Sequence, residues 1–201
     1  MRLIAPTLAA VAALALSGCV SVFPKSEPAQ LYRFGSSIEA SAGVSGSVPM
    51  TLARLDFTQA AAGDRIMTVT GSEVAYIAAA RWAAPASVMF HEALEQSFER
   101  RARVVDLVSR RERRGADLML DVDVNAFEAR YENGREAAPT AVVSLDARII
   151  RLPERTVIGQ RSIDVRRPAG ENRMGAIVAA LDGATGEALG ELVQWADANA
   201  R

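Results

Sequence analysis

Leu118-Met119-Leu120-Asp121-Val122-Asp123-Val124-Asn125-Ala126-Phe127-Glu128-Ala129-Arg130-Tyr131 is the stretch that decides the fold. Leu118, Leu120, Val122 and Val124 alternate with Asp121, Asp123 and Asn125, the period of a strand buried on one face. Beyond Ala126 the phase flips. Phe127, Ala129 and Tyr131 take the apolar register, while Glu128 and Arg130 take the polar one. A one-residue shift exchanges the two faces of a strand, so this slip predicts a β-bulge near Ala126. Asn133-Gly134 then signals a turn. Ala141, Val143, Leu145, Ala147 and Ile149 form the inward face of a return strand, and a third strand follows Pro153-Glu154 from Val157 to Val165. Three strands in this order make an antiparallel meander.

Working upstream, Val104-Val105-Asp106-Leu107-Val108 is almost continuously apolar, as expected of a strand covered on both faces. Before it the period lengthens. Met89 and Ala93, and likewise Phe90, Leu94 and Phe98, recur every four residues behind Pro85, which predicts an amphipathic helix. Ile66–Val69 and Val74–Ile77 flank Gly71-Ser72, a hairpin signal because glycine supplies the positive φ of a type II′ turn. Thr51–Phe57 and Leu31–Phe34 are further strand candidates, joined by a Gly/Ser/Ala-rich loop from Gly35 to Ser47. Downstream, Met174, Ile177, Val178, Leu181, Leu189, Leu192 and Trp195 or Ala196 carry a long helix from about Asn172 to Ala198. Gly183, Gly186 and Gly190 each cost that helix about 1 kcal/mol relative to alanine, so it must be held by packing or kink around Asp182 to Gly186. The expected architecture is α/β: a mixed, largely antiparallel sheet of about five to seven strands packed with two main helices.

Half of the chain is apolar, and the formal net charge is −1. A nucleic-acid partner is not indicated by that balance. Beyond the N-terminal run, no stretch supplies the roughly 18 uninterrupted apolar residues of a spanning helix. Asp182, Glu187 and Glu191 break the one long candidate. At the N-terminus, Arg2 precedes an apolar core from Leu3 to Leu16, the pattern of a secretory signal. Cys19 is the only cysteine and closes Leu16-Ser17-Gly18-Cys19, which resembles the bacterial lipobox. That resemblance implies an S-diacylglycerol on the Cys19 thiol, cleavage just before it, and N-acylation by a palmitate-type chain. A lone cysteine has no intramolecular disulfide partner, which agrees with such a use. The expected organisation is a signal peptide over 1–18, a lipidated N-terminus and tether over 19–30, and one periplasmic α/β domain over 31–201. Val20 and Ser21 follow the cysteine, with no aspartate of the inner-membrane retention type. The sorting rule therefore points to the outer membrane, lipid-anchored and facing the periplasm.

Catalytic signals are weak. His91, the only histidine, lies beside Glu92 in an amphipathic helix rather than among polar ligands. Gly43-Val44-Ser45-Gly46-Ser47 lacks the order of a nucleophile elbow. Asp121, Asp123, Asn125 and Glu132 fall on the spacing of a calcium loop, but Ala126 stands where its tight turn needs glycine. No lysine and hydroxyl residue follow the helix glycines, so they form no phosphate loop. An enzyme is not expected, nor a metal or other cofactor. Arg100, Arg101, Arg103, Arg110, Arg111, Arg113 and Arg114 form a basic cluster. It suits either a lipid or acidic-protein contact or a solvated helix end.

In order and spacing these segments resemble the auxiliary lipoproteins of ABC-type transport systems. These are the paraquat-inducible-type outer-membrane lipoproteins that accompany MCE-domain lipid transporters. The resemblance is carried by Cys19 ahead of Leu31-Tyr32-Arg33-Phe34, by Asp64-Arg65-Ile66, and by Arg81-Trp82-Ala83-Ala84-Pro85 before the first helix. Val122 to Glu128 and the Ala-rich helix from Met174 to Trp195 complete it. It implies a domain comparable to the N-terminal domain of the Tol-system propeller protein. It also implies an accessory role in moving lipids between membranes, with an MCE-domain periplasmic protein, an ABC permease and an ATPase as partners. Two readings of Arg81-Trp82 stay open: an indole that plugs the core at a strand-to-helix corner, or a docking contact. Arg110, Arg111, Arg113 and Arg114 are the other candidate contacts. A pilotin-like assembly lipoprotein and a periplasmic lipid-binding carrier are the alternative functions.

Overall fold

The computed structural model describes residues 28–38, 46–108 and 115–200. In chain order they form β1 (Gln30–Tyr32), β2 (Val48–Phe57), β3 (Arg65–Thr70), β4 (Glu73–Trp82), α1 (Ala86–Arg101), β5 (Val105–Val108), β6 (Leu118–Arg130), β7 (Thr140–Arg151), β8 (Thr156–Pro168) and α2 (Met174–Asn199). All eight strands belong to one sheet, one more than the upper end of the sequence expectation. The reason lies in β6, the long axial strand. One of its edges pairs antiparallel with β7 along its length, and the other is shared by two parallel strands. β2 pairs with its first half (Met50 with Leu118 to Phe57 with Val124), and β3 with its end (Thr68 with Ala129). The sheet thus forks, and every candidate segment finds a place. Four of the seven pairings are parallel, yet the two longest ladders, β6–β7 and β7–β8, are antiparallel.

The β6–β7–β8 meander follows the alternation that predicted it. Val124 pairs with Leu145 and Ala126 with Ser144, so Asn125 is the extra residue of a bulge. The bulge returns Phe127 and Ala129 to the face already used by Leu120, Val122 and Val124. Gly71 has φ +59° between the antiparallel β3 and β4, as the hairpin required. β5 differs from expectation. It is a four-residue strand paired, among the described residues, only with β2, and Asp106 is exposed because no helix covers that face of the sheet.

Both helices pack on the same face of the sheet. Met89, Phe90, Ala93, Leu94 and Phe98 of α1 are buried, as their spacing predicted. α2 lies over β7 and β8 and touches α1. Burial of Leu181, Leu189 and Leu192, none more than 1% exposed, drives its docking.

α2 is unbroken despite its glycines, so packing rather than a kink resolves their cost. A Cβ at Gly183 would lie 2.8 Å from Arg167 Nε, one at Gly186 2.6 Å from Ser37 Oγ, and one at Gly190 2.5 Å from Arg101 Nη1. Three side chains from three other segments therefore rest directly on the helix backbone, and Arg101 Nη1 donates to the Gly186 carbonyl at 2.7 Å. Two aspartates of α2 fasten the loops beside it. Asp182 accepts from the amides of Gly35 and Ser36 (2.6 and 3.0 Å) and from the Ser36 hydroxyl (2.6 Å). Asp197 accepts from the amides of Arg103, Val104 and Val105 at 2.8, 3.0 and 2.9 Å. The second clasp is what turns the chain from α1 straight into β5.

Candidate functional site

β4 leads to the first candidate pair through a bulge. Met67 pairs with Tyr76 and Arg65 with Arg81, so β4 carries extra residues between them, and Ala79 adopts φ +52° to take up the slack. The bulge sets Trp82 toward the core. Its indole is 2% exposed and meets Phe34 edge-on at 5.0 Å and Phe127 at 5.9 Å between ring centroids. Phe57 and Phe90 complete the cluster, with Phe127 within 6.0 Å of all four other rings. Of the two readings of this pair, Trp82 takes the core plug, since a buried indole presents no surface to a partner. Arg81 points outward beside Asp64, 3.7 Å away, with about a third of its side chain exposed. Next to it the Arg65 guanidinium lies 3.7 Å over the Tyr76 ring, a cation–π contact. Arg81 is thus the member of the pair that is open to solvent.

The basic cluster divides. Arg100 Nη1 donates to the Ile38 carbonyl at 2.9 Å and Arg101 to Gly186, so both hold neighbouring segments onto α1 and α2. Arg110, Arg111, Arg113 and Arg114 lie outside the described residues, as do Cys19 and the Gly43–Ser45 stretch.

The helix-free face of the sheet carries the calcium-loop look-alike. Arg148 donates to Asp121 at 2.7 Å and to Asp123 at 3.0 Å, so one guanidinium bridges both carboxylates. Asn125 and Ser162 both donate to Asp146, at 2.7 and 2.5 Å. Glu132 pairs with Arg166, and Glu128, 6% exposed, takes two hydrogen bonds from Arg130. Among the described residues no group of three His, Cys, Asp or Glu side chains is placed to hold a metal ion. His91 sits 3.3 Å from Glu95 one turn along the outer face of α1, and the neighbouring Ser87 hydroxyl donates to the Ala62 carbonyl at 3.1 Å. Tyr131 donates to Asn172 at 2.9 Å, and its partial burial raises the phenol above its ordinary pKa. That bond ties the β6–β7 connection to the start of α2.

The space between sheet and helices is filled by side chains. Phe90, Leu94, Leu120, Val143, Leu145 and Leu189 are each fully buried there. A surface cleft of about 420 Å³ crosses the α2 glycines between Arg101 and Arg167, with Glu187 and Glu191 on its rim.

The described residues form a two-layer α/β sandwich, one sheet with both helices on one face. Residues 35–193 match the family described as ABC-type transport auxiliary lipoprotein component, and the chain belongs to that family. Its structure is similar to that of protein XCC0632 from Xanthomonas campestris, of the DUF330 family, with a TM-score of 0.75 and 24% identity, covering 85% of this chain and 96% of that one. It also resembles the hypothetical protein CT253 from Chlamydia trachomatis, with a TM-score of 0.54 and 8% identity over 78% of this chain and 98% of the other. These likenesses establish the fold. No curated protein matches the chain.

Proposed function

We propose that this auxiliary lipoprotein is a non-enzymatic docking module, anchored in the outer membrane through acyl chains on Cys19, for an MCE-type intermembrane lipid transport system. The family match over residues 35–193 is the observation that carries the reading, because it assigns an auxiliary role in ABC-type transport to nearly the whole described domain. The partners are an MCE-domain periplasmic protein with its ABC permease and ATPase. Lipidation gives the anchor its physical sense. Each buried methylene contributes about 0.8 kcal/mol, so two or three chains on one residue hold the protein on the bilayer. Fixing one end of an envelope-spanning assembly at its acceptor membrane then turns a diffusional encounter into an intramolecular one.

Among the described residues Phe90, Leu120, Leu145 and Leu189 occupy the space between sheet and helices that a carried lipid would need, which favours docking over the carrier alternative. The test is Cys19→Ala. The variant is expected in the soluble periplasmic fraction with its domain folded, while the wild type sediments with outer membranes. A variant still membrane-bound after a high-salt wash would overturn the tether. Co-purification of the wild type with an MCE-domain subunit tests the pathway, whereas co-purification with a secretin would favour the pilotin-like alternative.

A further inference from the structure

Because the sheet forks at β6, three strands have only one neighbour among the described residues: β1, β5 and β8. β1 and β5 are three and four residues long, too short to template much pairing. β8 is different. It runs for thirteen residues, pairs among the described residues only with β7, and is exposed along most of its length. About every second residue of such an edge turns its N–H and C=O away from the sheet, a row of main-chain groups ready to pair with another strand. Long edges are ordinarily blunted by bulges, prolines or charges, and β8 has the first two only at its ends. Its register slips between Val157 and Gly159, and Pro168 closes it. From Gln160 to Arg167 the pairing with β7 is regular, Gln160 with Arg148 through to Arg167 with Ala141.

The charges along this stretch select the occupant. Arg161, Arg166 and Arg167 face a single acid, Asp164. Arg166 is paired with Glu132, but Arg161 reaches Glu191 only at 4.0 Å, and Arg167 lies over Gly183 with no carboxylate partner among the described residues. Arg161 and Arg167 stand on the α2 side of the strand, in phase with the buried Ile163 and Val165. An added strand that places carboxylates opposite both arginines completes both the hydrogen-bond ladder and the charge pairing.

We propose that the β8 edge from Gln160 to Arg167 is the docking surface for an extended, acidic segment of the transport partner, taken up by strand addition. The proposal rests on the docking function above and gives it a site. A photo-crosslinking residue placed at Gln160, Ser162 or Asp164 is expected to capture the MCE-domain subunit in cells. The same residue at Val88 on α1 or Val74 on β4, both exposed elsewhere, is not. Arg161→Glu with Arg167→Glu should weaken capture about tenfold, measured at a temperature where the thermal midpoint shows the variant folded, while the Lys pair retains it. Amide exchange across residues 160–167 should slow when the purified partner is added, which a side-chain contact alone would not produce. Capture only from Val88 or Val74, capture only of second copies of this chain, or unchanged exchange with partner bound would overturn the edge as the site. Failure to capture the MCE-domain subunit from every position would overturn the docking function itself.

Discussion

The two faces of β6 meet different fates although they alternate residue by residue. On the helix side Leu120, Val122, Val124 and Phe127 are at most 2% exposed and packed against two helices. On the bare side Asp121 and Asp123 keep a fifth to a third of their side chains in solvent and share Arg148. The difference teaches where stability resides. Apolar burial on the covered face contributes free energy in proportion to area, whereas half-exposed ion pairs contribute little because water screens them.

Substitutions along and around β6 break or sharpen that contrast. The largest effect is expected for Phe127→Ala, which empties the centre of the five-ring cluster and should cost about 3–5 kcal/mol in urea unfolding. A loss below about 1 kcal/mol would mean that the cluster can collapse into the space. Asp197→Ala comes next. It strips three backbone amides of their acceptor and should cost about 2 kcal/mol, with Asp197→Asn keeping part of the clasp and losing less. The smallest effect belongs to the bare face. Arg148→Ala should cost no more than about 1 kcal/mol, and less at high salt, measured by the same unfolding curves. An Arg148 effect as large as that of Phe127 would erase the distinction between the faces.

Much of this was legible in the residue pattern. The slip at Ala126 announced the bulge, the spacing of Phe90, Leu94 and Phe98 announced the buried stripe of α1, and the β6–β7–β8 meander followed from alternation alone. Strand pairing beyond the meander and the β3–β4 hairpin was not legible. β2 and β3 both run parallel to β6 across long connections, and periodicity reports which face is buried without naming the neighbour. β5 was misjudged for the same reason, since an apolar run looks alike in a central strand and at an edge. In the site, Arg81 and Trp82 are adjacent in sequence yet opposite in fate, because the Ala79 bulge decides which of them turns inward. Asp182, Asp197 and the β8 edge carried no motif at all. Their roles come from which backbone groups lie beside them.

The sequence by itself determined what is local: the alternation of strands, the stripe of a helix, the turn glycines and the Leu16–Cys19 motif, each set by chemistry within a few neighbouring residues. Only the tertiary structure decided that β6 shares one edge between two strands, that three glycines of α2 seat side chains from distant segments, and that β8 has one partner among the described residues. The reason is that pairing and close approach depend on groups far apart in the chain, whose meeting is settled by the packing of the whole domain.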